Sequence, residues 1–115
     1  MSNIKAVFID RDGTISADKG YVFRIEDFEL LPSSLEALKL LTQHKIKIYI
    51  ITNQAGIAKG YYTEKDFHSL TNYMLKHFQN DGIKVEKILY CPHHLSLCPD
   101  VPFLKGSFLG AKWAF

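Results

Sequence analysis

Three apolar, β-branched runs, Ile4 to Ile9, Ile46 to Ile51 and Val85 to Tyr90, alternate with two segments of helical periodicity, and that order predicts an α/β fold. Parallel strands joined through helices need right-handed crossovers, which pack the helices outside the sheet. The chain has 115 residues, enough for one small domain with a single core and short for an enzyme with a cap.

Ile4 to Ile9 is nearly continuous in apolar residues, the pattern of a strand buried on both faces, and it ends abruptly at Asp10. The first helix is expected to begin at Pro32-Ser33-Ser34-Leu35-Glu36, with Ser33 and Glu36 as a capping box and Leu35, Leu38 and Leu41 as its apolar face. The second strand, Ile46 to Ile51, runs into the polar triplet Thr52-Asn53-Gln54. Thr63-Glu64-Lys65-Asp66 then caps a helix whose apolar face is Phe67, Leu70, Met74 and Phe78, and Asn80-Asp81-Gly82 stops it. The stretch from Thr14 to Leu31 is the one long irregular segment before the first helix, a length that marks functional loops.

Hydrophobic residues at 47% and charged residues at 23% fit a globular chain and exclude a disordered one. The charge of +2 comes from 14 basic and 12 acidic residues mixed along the sequence, without the basic stripe that nucleic acid binding requires. No nucleic acid partner is expected. Neither a signal peptide nor a membrane-spanning stretch is recognisable, so no membrane association and a cytoplasmic location are expected. The oligomeric state is not encoded in any legible pattern. Cys91 and Cys98 sit near histidines, where metal binding or free thiols fit better than a disulfide.

Asp10-Arg11-Asp12-Gly13-Thr14 places two acids two residues apart at the carboxyl end of a strand, where open α/β sheets bind ligands. Asp12-Gly13 alone is also an ordinary turn. Two carboxylates so close repel unless one is protonated or a hard cation such as magnesium neutralises them. This stretch resembles the first motif of the haloacid dehalogenase-like phosphatases. The resemblance implies a three-layer Rossmann-like parallel sheet, here incomplete on the carboxyl-terminal side. It also implies Asp10 as nucleophile, Asp12 as acid and base, Mg2+ held by both, and Thr52 on the transferring phosphoryl group.

Asp18-Lys19-Gly20-Tyr21-Val22 and Thr52-Asn53-Gln54-Ala55-Gly56-Ile57-Ala58-Lys59-Gly60 narrow the likeness to the D,D-heptose 1,7-bisphosphate phosphatases, with histidinol-phosphate phosphatases as close relatives. By that resemblance Asp18, Gly20, Tyr21, Asn53, Gln54 and Lys59 meet a small phosphosugar substrate. Lys59 is equally readable as a solvated surface lysine. Cys91-Pro92-His93-His94 is similar to the start of that group's zinc loop. Cys91, His93 and Cys98 give three ligands for Zn2+, with Asp100 or His94 near the fourth place.

The likeness runs from about Ile4 to His94, so residues 1–94 are expected to form the phosphatase core. Residues 95–115 are expected to be an atypical tail, a frameshifted or fragmentary terminus with no recognisable strand or helix end. The tail has neither the Arg-Lys-Pro segment nor the later acidic metal ligands that the resemblance implies, and only Lys105 or Lys112 offers a substitute for the superfamily's lysine. A strand absent from beside the first one would leave an apolar edge. The expected activity is therefore hydrolysis of a heptose bisphosphate at its 7-phosphate. The rivals are a histidinol-phosphate phosphatase and a catalytically silent fragment.

Overall fold

The computed structural model describes residues 3–93 and 112–114. Its elements are β1 (Ala6–Asp10), α1 (Pro32–Gln43), β2 (Lys47–Asn53), α2 (Ala55–Ala58), α3 (Glu64–Asn80), β3 (Lys87–Cys91) and β4 (Lys112–Trp113), with a 3-10 turn at Ile25–Asp27. The first three strands are parallel and lie in the order β1-β2-β3, with β4 antiparallel on the outer side of β3.

Register decides which side chains meet. Val7 lies beside Ile48, Ile9 beside Ile50, Ile50 beside Ile88 and Thr52 beside Tyr90, and residues paired in this way project to the same face. That face joins Leu38 of α1 and Phe67, Met74 and Phe78 of α3 in one core cluster. Burying each of these side chains contributes about 1.5–3 kcal/mol relative to exposure.

The expectation that the first strand is buried on both faces is corrected. β1 is the edge of the sheet among the described residues, Val7 and Ile9 are only half-buried, and Phe8 on the other face is 67% exposed, stacked on Tyr49 at 5.0 Å between centroids. The apolar run reports a strand able to be buried, and the described neighbours cover one side of it.

α1 also begins differently from expectation. Pro32 occupies its first turn after Leu31, with no side-chain cap, so Ser33 lies inside the helix and does not cap it with Glu36. A proline lacks the N–H that a cap would satisfy and has its φ set for a helix start, which explains the shift. The neighbouring Ser34 hydroxyl donates instead to the Thr14 carbonyl, anchoring the helix to the loop after β1. α3 follows expectation: Thr63 accepts from the Asp66 amide at 3.1 Å and Asp66 accepts from the Thr63 amide at 2.9 Å.

The tail is corrected at one point, because Lys112 and Trp113 do form strand, pairing with Tyr90 and Leu89. Lys112 Nζ donates to Glu64 at 3.1 and 3.3 Å, and the Tyr90 hydroxyl donates to the same carboxylate at 2.6 Å. Those bonds, Tyr90's first, hold the Glu64 carboxyl below its ordinary value. A depressed carboxylate stabilises the fold above its unfolded pKa and stops doing so as pH falls through the folded one. Glu64→Gln should therefore lower Tm at neutral pH, with the gap from the parent closing on acidification below the usual glutamate range. A gap independent of pH, in melts from neutral to acid, would show that this carboxylate is not held by its partners.

Candidate active site

The end of β1 and the loop after it fold back into a tight turn because one carbonyl collects several donors. Arg11 C=O accepts from the Ile15 amide at 2.9 Å and the Ser16 amide at 3.0 Å, while the Gly13 amide donates to Ser16 C=O at 2.7 Å. Gly13 has φ +87°, a conformation that costs a side-chain-bearing residue strain. The turn projects Asp10 and Asp12 from the carboxyl end of the sheet, next to the end of β2.

Asp10 Oδ1 accepts from the Arg11 amide at 2.9 Å. Burial is the main cause that raises its carboxyl above the ordinary range, the Arg11 amide opposes this, and the charges of Asp12 and Asp18 raise it further. Two neighbouring carboxylates therefore act on Asp10. Asp12 is held by its neighbour: Arg11 Nε and Nη2 donate to its Oδ1 at 3.2 and 3.0 Å, and Nη2 reaches Oδ2 at 3.1 Å.

Thr52 in β2 is 1% exposed, and Gln54, between β2 and α2, is 2% exposed. Gln54 Nε2 donates to Thr52 Oγ1 at 2.9 Å and reaches Asp12 Oδ2 at 3.4 Å. The other end of that amide accepts from the Tyr62 hydroxyl, whose own ionisation is pushed up to about 12, chiefly by burial. The Gln54 backbone N–H is fixed to β3 by donating to Cys91 C=O at 2.8 Å.

A cavity of about 280 Å³ opens at this end of the sheet, lined by Asp12, Asp18, Gly20, Tyr21, Asn53, Gln54 and Tyr62 among others. Asp18 Oδ1 accepts from the Gly20 amide at 3.1 Å, and Gly20 and Tyr21 both have positive φ, +73° and +44°, so the chain turns sharply over the opening. Lys59, just past α2, donates to the Tyr21 hydroxyl at 2.6 Å and lies 5.2 Å from the ring centre. That bond raises the lysine's pKa. Gly56 is required by the same aromatic wall, because a Cβ there would stand 2.3 Å from the Tyr62 ring and 2.9 Å from that of Tyr21.

The structure thus brings Asp12, Asp18, Gly20, Tyr21, Asn53 and Gln54 to one cavity, with Asp10 and Thr52 at the strand ends beside it and Lys59 on Tyr21. Sequence reasoning missed Arg11, Tyr62 and Ser34. Arg11 stood in plain view between the two acids; Tyr62 is an aromatic residue immediately before the Thr63 cap, and nothing in the sequence ties it to Gln54.

Cys91 is buried and unbridged and His93 is exposed, while Cys98, His94, Asp100 and Lys105 lie outside the described residues. Among the described residues, no three His, Cys, Asp or Glu side chains gather as a metal cage, and no helix is long and apolar enough to cross a membrane. Lys112 is paired with Glu64.

No family model matches the chain. It is 49% identical over 111 residues to a D-glycero-alpha-D-manno-heptose-1,7-bisphosphate 7-phosphatase of Campylobacter jejuni, a match covering 96% of this chain and 64% of the relative. It is 43% identical over 90 residues to a D-glycero-beta-D-manno-heptose-1,7-bisphosphate 7-phosphatase of Pasteurella multocida, covering 78% of this chain and 49% of that one. The fold is similar to the crystal structure of the D,D-heptose 1,7-bisphosphate phosphatase from B. bronchiseptica complexed with magnesium and phosphate, with TM-score 0.75, 30% identity and coverage of 79% of this chain and 51% of that one. The chain therefore spans about half to two-thirds of the length of the relatives it matches.

Proposed function

We propose, on the premise that this chain is a homologue of the heptose 1,7-bisphosphate phosphatases of the haloacid dehalogenase-like type, that it hydrolyses the 7-phosphate of a heptose bisphosphate. The observation that carries this reading is the placement of Asp10 and Asp12 at the end of β1, beside Thr52 and a cavity lined by polar side chains. The names of the relatives leave the histidinol-phosphate alternative without support.

In the proposed reaction an Asp10 oxygen attacks phosphorus, the bond from phosphorus to the C7 oxygen breaks, and Asp12 hands a proton to the departing alkoxide. Asp12 then takes a proton from water, whose oxygen attacks phosphorus and breaks the bond to Asp10, releasing phosphate. Thr52, held by Gln54, faces the transferring group. Asn53, Gln54, Lys59 and the Asp18-Gly20-Tyr21 segment meet the rest of the substrate.

The donor set fits a hard divalent cation: the charges of Asp12 and Asp18 add to burial in raising the Asp10 carboxyl, and the Arg11 guanidinium is already committed to Asp12. Asp10 would hold Mg2+ foremost, with Asp12 sharing its oxygens with Arg11. The ion supplies charge neutralisation to the phosphoryl group when bound.

Phosphate release from heptose 1,7-bisphosphate, in magnesium and on protein shown to be folded, tests the function. Release from this ester and not from histidinol phosphate is the expected result. No release from either supports the silent fragment.

Two subsidiary proposals accompany this reading. One is a weakened structural zinc site from Cys91, His93 and Cys98. Three good ligands bind less tightly than four, so purified protein should carry substoichiometric zinc that mild chelation removes. One tight zinc per chain by elemental analysis would contradict that. The other is the division into a core at 1–94 and an atypical tail at 95–115. The Pasteurella match, 90 residues long, has about the length of such a core, whereas the Campylobacter match, at 111 residues, is longer than it. Sequencing the encoding locus tests the frameshift, which requires an Arg-Lys-Pro continuation in another reading frame.

A further inference from the structure

Arg11 has a role that no property of a nucleophile or a substrate contact accounts for. Its side chain is 2% exposed. The guanidinium lies 5.7 Å from the Phe28 ring centre and 5.8 Å from that of Phe67, so the cation sits among aromatic rings of the loop and of α3. Its Nη2 donates to both Asp12 oxygens and to Val22 C=O at 3.2 Å, and its Nε donates to Asp12 Oδ1. A buried guanidinium is costly unless its donors find acceptors, and Nε and Nη2 keep theirs only while Asp12 and the Tyr21-Val22 segment hold their present places. On the far side of Asp12, Gln54 reaches Oδ2, and its amide is oriented by the Tyr62 hydroxyl.

We propose that Arg11, backed by Gln54 and Tyr62, is a positioning residue that fixes the Asp12 carboxylate in one orientation and couples it to the loop over the substrate cavity. Arg11 binds no substrate. It holds the Asp12 carboxyl in one place through its contacts with both oxygens, and so keeps it aimed at the oxygen of the departing alkoxide. The same cation ties Val22, next to the cavity-lining Tyr21, to the acid–base group, so placement of the loop and placement of Asp12 are set together. This inference rests on the reading of Asp12 as acid and base in phosphate ester hydrolysis.

Leaving-group dependence separates positioning from mere structure. A C7 alkoxide needs a proton as it departs, whereas p-nitrophenolate leaves as a stable anion. Misplacing a reacting group by about an ångström costs about a hundredfold. For Arg11→Met, kcat on heptose 1,7-bisphosphate should therefore fall about a hundredfold, and that loss should exceed the loss on p-nitrophenyl phosphate by about tenfold or more, with KM changing much less than kcat. Arg11→Lys keeps the charge without the fork and should behave like the Met variant. Tyr62→Phe, which keeps the ring, should show the same selectivity at smaller size, and it serves if the Arg11 variants do not fold. Equal losses on the two esters in folded variants, or full activity in Arg11→Lys, overturn the proposal. Asp12→Asn is the control for the underlying reading: if it shows no selectivity for the poorer leaving group, or if the unsubstituted chain releases phosphate from neither ester, the assignment of Asp12 fails first.

Discussion

Asp10→Asn is expected to abolish phosphate release, by at least about a thousandfold, and to leave the protein folded. The amide keeps the shape of the carboxylate but cannot act as the nucleophile. The two consequences separate because the Asp10 carboxyl is raised by burial and by the charges of Asp12 and Asp18. A carboxyl whose folded pKa lies above its unfolded one weighs against the fold when ionised, and that cost fades as pH falls from the raised pKa to the ordinary one. Removing the charge should hold or raise Tm at neutral pH while activity vanishes. Thermal melts beside phosphate release check both halves. A variant that turns over like the parent would remove Asp10 from the chemistry, and one that unfolds would make the turn at Arg11–Ser16 depend on this charge.

Extending the chain with the part of the Campylobacter relative that it does not span is expected to raise kcat/KM on heptose 1,7-bisphosphate by about a thousandfold or more. An aspartate attacking a phosphate dianion needs positive charge beside it, and one preorganised group of that kind accounts for about a hundred- to a thousandfold in rate. Arg11 directs its fork to Asp12 and Val22, and Lys112 is paired with Glu64, so among the described residues no lysine is ion-paired with Asp10. Among the described residues no cage of three ligands is gathered, so a cation would be held by few of these groups. Two deficits in one coupled site need not multiply, which makes three decades a cautious figure. β1, the edge of the sheet among the described residues and carrying exposed Phe8, offers the extension a sheet to continue. Equal kcat/KM for the two forms, at saturating magnesium, would show that this chain supplies the charge itself and would return attention to Lys105 or Lys112.

What the sequence revealed follows from how local each signal is. The placement of Asp10 and Asp12 was legible because it needs only a strand end and a spacing of two, and α3 because Thr63 and Asp66 form a complete cap within four residues. Strand ends moved by one or two positions, since register is a contact between chains of residues far apart: Asn53 and Cys91 extend their strands by pairing with each other. The four-residue α2 is too short to show periodicity. Two-residue β4 exists only through its pairing with β3. Tyr62 reaches Gln54 and Ser34 reaches Thr14 across 8 and 20 residues of chain, and no pattern within either segment announces the partner. Exposure of Phe8 was invisible for a similar reason: an apolar strand reports its capacity for burial, and its neighbours decide the outcome.

The proposed covalent step at Asp10 can be observed at that residue. An aspartyl phosphate is reduced by borohydride to homoserine, which mass spectrometry locates by position. Quenching the chain during turnover of heptose 1,7-bisphosphate with magnesium should place homoserine at position 10, and none in protein quenched without substrate. Phosphate release with position 10 unmodified, or with homoserine at another aspartate, would contradict the account.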